Sequence, residues 1–127
     1  HNHSEGWQGR FRRGHPDAVL LRYALEVMGP LNGLLVSHLD VFQRGMSLQW
    51  CESYSTPSLA IIDRLPMGVC GDLSHQSMLT QLLECSKPRY ALEPIHSDGD
   101  YFERMSSVTD LPVILRSYGS TNSDVSE

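Results

Sequence analysis

The chain has 127 residues, with 15 Asp and Glu against 10 Lys and Arg, a formal charge of −5 with neutral histidines. One domain's worth of chain, it is long enough to bury a core without disulfides or a structural metal. The acidic balance argues against a general nucleic-acid binder, which carries a basic face. A content of 40% hydrophobic and 20% charged residues argues against disorder.

No apolar run reaches the roughly 18 residues of a membrane helix, and the polar first residues lack a signal-peptide pattern. The chain begins with His1 rather than Met and is expected to be a fragment or a processed product. Cys51, Cys70 and Cys85 are odd in number and widely spaced. That fits neither a zinc site nor a disulfide scaffold and reads as three free thiols in a reducing, cytoplasmic compartment.

In chain order, residues 1–14 read as a Gly- and Arg-rich loop. Pro16 suits the first turn of a helix and Asp17 the positive end of its dipole. The helix runs from Ala18 to Met28, with Leu20, Tyr23, Ala24 and Val27 at helical spacing, and Gly29-Pro30 ends it. Leu34-Leu35-Val36 reads as a strand buried on both faces. After a turn at Arg44-Gly45, Leu48 to Tyr54 alternates as a second strand, and Leu59 to Ile62 is a short third. Ser74 is placed to cap a helix from His75 to Cys85, with Met78, Leu79, Leu82 and Leu83 as its apolar stripe. Residues 86–99 read as a loop. Asp98 to Val108 reads as a helix with Tyr101, Phe102, Met105 and Val108 inward, Pro112 to Arg116 as a final strand, and 120–127 as a flexible tail. These elements predict an α/β fold of mixed helices and a small, partly parallel sheet.

No Walker-type phosphate loop, Gly-x-Ser-x-Gly elbow or His-Glu-x-x-His motif is present. Three local features invite chemistry, each with an ordinary reading beside it. Gly9-Arg10-Phe11-Arg12-Arg13-Gly14 suits carboxylates or phosphates through paired, charge-assisted hydrogen bonds, or is a solvated basic loop. Ser37-His38-Leu39-Asp40 ends a strand, where ligands of α/β sheets collect. A carboxylate there accepts two hydrogen bonds from guanine's N1–H and exocyclic amine, a donor pair adenine lacks; alternatively Asp40 opens a turn. Ser117-Tyr118-Gly119 offers a hydroxyl and bare backbone to a base, or is an ordinary loop.

Together and in this order, these features resemble the C-terminal part of adenylosuccinate synthetase. The family pattern Thr-Thr-Gly-Arg-x-Arg-Arg, a spacer, Gly, two residues and Asp-Ala-Val is similar to Gly9-Arg10-Phe11-Arg12-Arg13-Gly14-His15-Pro16-Asp17-Ala18-Val19, and Leu21-Arg22-Tyr23-Ala24 continues it. Leu-Thr-Lys-Leu-Asp-Val-Leu resembles Val36 to Phe42, and the family's next strand resembles Leu48 to Tyr54. Pro88-x-Tyr90, Tyr101 to Met105, Thr109 to Val113 and Ser117-Tyr118-Gly119 follow, so the match runs from about Gly9 to Gly119 and is weakest over 55–87. Departures are Trp7-Gln8 for the two threonines, His38 for the lysine that packs on guanine, one residue fewer between Arg13 and Gly14, and Ser120 for a proline.

The resemblance implies the C-terminal part, residues 15–119, of a larger P-loop-like GTP-dependent ligase of purine biosynthesis. That ligase converts IMP, aspartate and GTP to adenylosuccinate, GDP and phosphate with magnesium. Gly9, Arg10 and Arg12 would bind aspartate and IMP. His38, Asp40, Ser117 and Gly119 would form the guanine site. The family's phosphate loop and its catalytic Asp and His have no counterpart here. The chain alone is therefore expected to be inactive and to hold neither GTP nor magnesium tightly, with no catalytic or metal-binding residue of its own. Its implied partners are these substrates and either a second copy or the N-terminal part of the same enzyme, with no nucleic acid and no membrane. The alternative is a free-standing diverged domain with a non-catalytic binding or interaction role.

Overall fold

The computed structural model describes residues 14–127. The Gly9, Arg10 and Arg12 loop lies outside the described residues. Helix α1 spans Ala18–Met28, and its cap is Asp17, whose Oδ1 accepts from the amides of Val19 and Leu20 at 2.9 and 3.0 Å. Asp17 thus lies just before the helix rather than in its first turn, and Pro16 precedes both. The C-terminal end closes where Gly29, at φ +77°, donates its amide to the Leu25 carbonyl, a conformation that favours glycine. The expected stripe on α1 is displaced. Ala18 and Val19 are fully buried and Tyr23 packs beside them, whereas Leu20 and Val27 are exposed.

Strand β1 (Leu34–Val36) and strand β5 (Val113–Ser117) pair in parallel. Strand β6 (Val125–Ser126) adds antiparallel to β5, so β1 and β6 are the edges of this small sheet. The tail expected to be flexible is instead a 3-10 turn at Asn122–Asp124 followed by β6. A second sheet is antiparallel, in the order β3-β2-β4, with β2 Cys51–Ser55, β3 Ile61–Ile62 and β4 Lys87–Tyr90. The expected loop 86–99 therefore contains a strand. All four residues of β4 are exposed, so no alternation marks it, and Pro88 is tolerated because β4 is an edge. Helix α2 is one turn, Asp40–Gln43. Helix α3 spans Leu73–Cys85, capped by Asp72 rather than Ser74, with Leu79 buried and Met78 exposed. Helix α4 spans Asp98–Thr109, capped by Ser97, with Tyr101, Phe102, Met105 and Val108 facing the core as expected.

Over the described residues the fold is thus mixed α/β with four helices and a small, partly parallel sheet, accompanied by the antiparallel one. Among the described residues no helix is long and apolar enough to cross a membrane. Cys51, Cys70 and Cys85 are free thiols.

The buried residues form three clusters, and the neighbours Trp50 and Cys51, at the start of β2, contribute to different ones. Trp50 packs with Ala18 and Ile95, while Cys51 packs with Val19, Tyr54 and Leu79. A third cluster, Leu34, Val36 and Leu39, joins the Trp50 cluster through Phe42, Tyr101 and Met105. Leu39 and Ile95 are fully buried, and burial of that kind contributes about 1.5–3 kcal/mol per side chain.

The parallel pair is covered on one face only. Leu34 and Val36 are buried against α4, but Leu35 is 63% exposed and Ile114 50%. The expectation that β1 is buried on both faces is therefore corrected. An apolar run shows that a strand can be covered twice, not that this chain supplies both covers.

Candidate functional site

The carboxyl ends of β1 and β5 lie side by side because the strands are parallel. This brings together residues that are some 77 positions apart in the chain. After β1 the backbone turns at His38, which holds φ +64°. A left-handed conformation is uncommon for a residue with a side chain, though His tolerates it better than most. The turn drives Leu39 into the core and starts α2 at Asp40. The Leu39 amide donates to the Ser117 carbonyl at 3.1 Å, which locks the turn to the end of β5. His38 itself is exposed.

The Ser117–Gly119 loop is closed locally. The Ser117 hydroxyl donates to the Gly119 carbonyl at 3.0 Å, and the Tyr118 amide donates to the Asp124 carbonyl at 2.9 Å. A Cβ on Gly119 would run into the Asp124 carboxylate, so only glycine fits without moving the tail. Asp124 in turn accepts from the Thr121 amide and hydroxyl, which hold its carboxyl below its ordinary range. Tyr118 donates its hydroxyl to Asp98 Oδ2 at 2.8 Å, tying the loop to the start of α4 and raising the phenol's pKa.

The Asp40 side chain is 24% exposed, and its Oδ2 forms an ion pair with Arg44, four residues on along the chain. A purine edge needs both oxygens, so Arg44 competes for the group that guanine would use. A cleft of about 290 Å³ opens beside these residues, lined by Gln43, Tyr118, Ser123, Asp124, Val125 and Ser126. Asp40, Ser117 and Gly119 border this region without lining the cleft. The structure therefore gathers His38, Asp40, Ser117 and Gly119 at one end of the sheet, and none of the four lines the 290 Å³ cleft. No sequence motif marks Gln43 or Asp124, which line the cleft. Their place depends on α2 and on the folded tail, neither of which has a periodic signature.

Two other polar groupings lie elsewhere. A groove of about 520 Å³ runs beside α4, with Glu93, His96, Asp100, Glu103 and Arg104 among its walls. At the seam of the core, Asp17 Oδ2 accepts from the Tyr54 hydroxyl. Burial, and then the nearby Asp17 carboxylate, push the Cys51 thiol up to about 11, and burial likewise raises Tyr54. A thiol held protonated in this way is inert rather than nucleophilic. Among the described residues no three His, Cys, Asp or Glu side chains converge as a metal cage. The magnesium implied by the resemblance finds no ligand cluster among them.

Compared with known protein families and curated proteins, the chain matches no family model and no curated sequence.

Proposed function

We propose that this chain is the guanine-recognising C-terminal part of an adenylosuccinate synthetase-like ligase. In this reading it contributes to binding GTP and aspartate but not to the phosphate loop. The observation that carries the reading is the Leu39 amide to Ser117 carbonyl bond, which puts the Asp40 turn against the Ser117–Gly119 loop at the carboxyl ends of parallel strands. That is where an α/β sheet receives a ligand. Asp40 reads the N1–H and amine of the base, His38 stacks on its face, and Ser117 and Gly119 form the floor. Arg10 and Arg12 take the aspartate carboxylates.

The Asp40–Arg44 pair does not block this role. An exposed pair at this spacing stabilises by only about 0.3–0.5 kcal/mol, whereas each hydrogen bond to a charged group is worth about 1.5–3 kcal/mol. A guanine edge therefore displaces Arg44. A second reading, a non-catalytic interaction domain, is favoured by the bare Leu35 and Ile114 face.

Calorimetry with GDP and ADP tests the first reading. The native chain is expected to bind GDP in preference to ADP, and Asp40→Asn to lose the preference. Equal affinity for the two nucleotides would remove the assignment of Asp40 and leave the second reading. The chain alone is expected to release no phosphate from GTP with IMP and aspartate present. Turnover would contradict its dependence on an upstream phosphate loop.

A further inference from the structure

The register of the parallel pair contains an irregularity that re-aims one side chain. Leu34 pairs with Val113, but Leu35 pairs with Leu115 and Val36 with Arg116, so Ile114 is an extra residue on β5. Val113 faces the apolar cluster of Leu34, Val36 and Leu39. Strict alternation from Val113 would send Arg116 to the opposite, solvent-facing side together with Ile114. The extra residue turns it back onto the side of Val36 and α4. Bulges recur next to functional sites because they redirect side chains in this way.

Arg116 is consequently half-buried, with its guanidinium carbon 4.9 Å from the centre of the Phe102 ring on α4. Its Nε is closed to solvent and has no hydrogen-bond partner among the described residues, so a ligand meets the guanidinium at its terminal nitrogens. The two ion pairs among the described residues are Arg44–Asp40 and Arg64–Glu26, and Arg116 belongs to neither. Asp98 belongs to the adjoining turn of α4, but its Oδ2 carries the Tyr118 hydroxyl. A guanidinium cannot shed its charge, and a partly desolvated one without a carboxylate partner among the described residues is costly. Contact with the Phe102 ring also restricts the side chain in advance, and a guanidinium suits a ligand that accepts two parallel bonds.

We propose that Arg116 is the anchor of an oxyanion-binding site at the carboxyl end of β5, taking a carboxylate or phosphate group of a ligand at its terminal guanidinium nitrogens. The site neighbours the guanine-recognising residues but shares none of them, so either assignment can fail without the other.

The test uses the full 127-residue chain, with inorganic phosphate and succinate as probes and sodium chloride of equal ionic strength as the control. In the native protein, phosphate or succinate is expected to raise the melting temperature above the chloride control and to shift the Arg116 Nε–H resonance. A response to phosphate alone identifies a phosphoryl ligand, and a response to succinate alone a carboxylate. In Arg116→Met, which keeps the stem over Phe102, the anion response is expected to vanish while the anion-free protein melts no lower. Arg116→Lys keeps the charge without the fork and should bind about tenfold more weakly. Three results would overturn the proposal. One is a native protein whose Nε–H and melting ignore both anions. Another is an anion response that survives Arg116→Met. The third is an anion-free loss of stability in Arg116→Met, with no anion response in the native chain, which would mark Arg116 as a packing residue.

Discussion

Arg44→Ala separates two roles for the residues around Asp40. Arg44 is more than half exposed, at 57%, and its partner is 24% exposed. Solvent screens such a pair, so its loss is expected to cost the fold about 0.3–0.5 kcal/mol. If Asp40 reads guanine, Arg44 is only a competitor for the carboxylate. Removing it then leaves GDP affinity unchanged or improves it by the same small amount, about twofold. Asp40→Asn is a different change: the amide keeps one acceptor and turns a donor toward two donors. One lost charge-assisted bond and one donor facing a donor are expected to cost about 2–3 kcal/mol, some 30- to 150-fold in affinity. Calorimetric titration of both variants with GDP, beside denaturant melts, provides the comparison. A tenfold loss of affinity in Arg44→Ala would refute the reasoning, because it would make Arg44 a ligand contact rather than a competitor.

Three further predictions concern the frame that holds the site. Asp17→Ala removes a helix cap and strands the Tyr54 hydroxyl. It is expected to cost about 2–4 kcal/mol in urea melts, with Asp17→Asn recovering most of that; equal losses would show that the capping geometry is not what matters. Cys51 is held protonated up to about 11 against an ordinary 9.0. The unfolded chain therefore loses that proton first, and stability falls as pH rises from 9 to 11 by about 2 kcal/mol from this group. The drop in Cys51→Ala should be smaller by that amount, and parallel curves for the two proteins would contradict the burial argument. Leu35→Thr with Ile114→Thr changes only the exposed face of the parallel pair. Sedimentation should show less self-association with melting almost unchanged; a large loss of stability would mean that this face is packed in solution.

The sequence made the spans of the long helices legible because helix formers and breakers act locally, and the Tyr101, Phe102, Met105 and Val108 face of α4 is a case in point. It misplaced the stripe of α1 and the cap of α3, which is Asp72, and did not mark Ser97 as the cap of α4. It located β1 and β5 from their apolar runs, and with them the ends where Asp40 and Ser117 lie. It missed β4, because Lys87–Tyr90 is held by backbone pairing to β2 with every side chain outside. It missed α2, because four residues carry no period. The tail looked unstructured because Val125 is its sole large apolar residue, and a backbone ladder and the Thr121–Asp124 cap hold it instead. Arg116 was legible as the end of a strand but not as an inward-facing cation. Its direction follows from the extra residue at Ile114, which no pattern of residue types announces.

The most direct test of the central claim is a nuclear magnetic resonance titration of the nitrogen-labelled chain with GDP and, separately, ADP. The account predicts that the amides of Leu39, Asp40, Ser117 and Gly119 shift together with a single midpoint for GDP and stay in place with ADP. Movement of these amides with both nucleotides alike, or with neither, would contradict it.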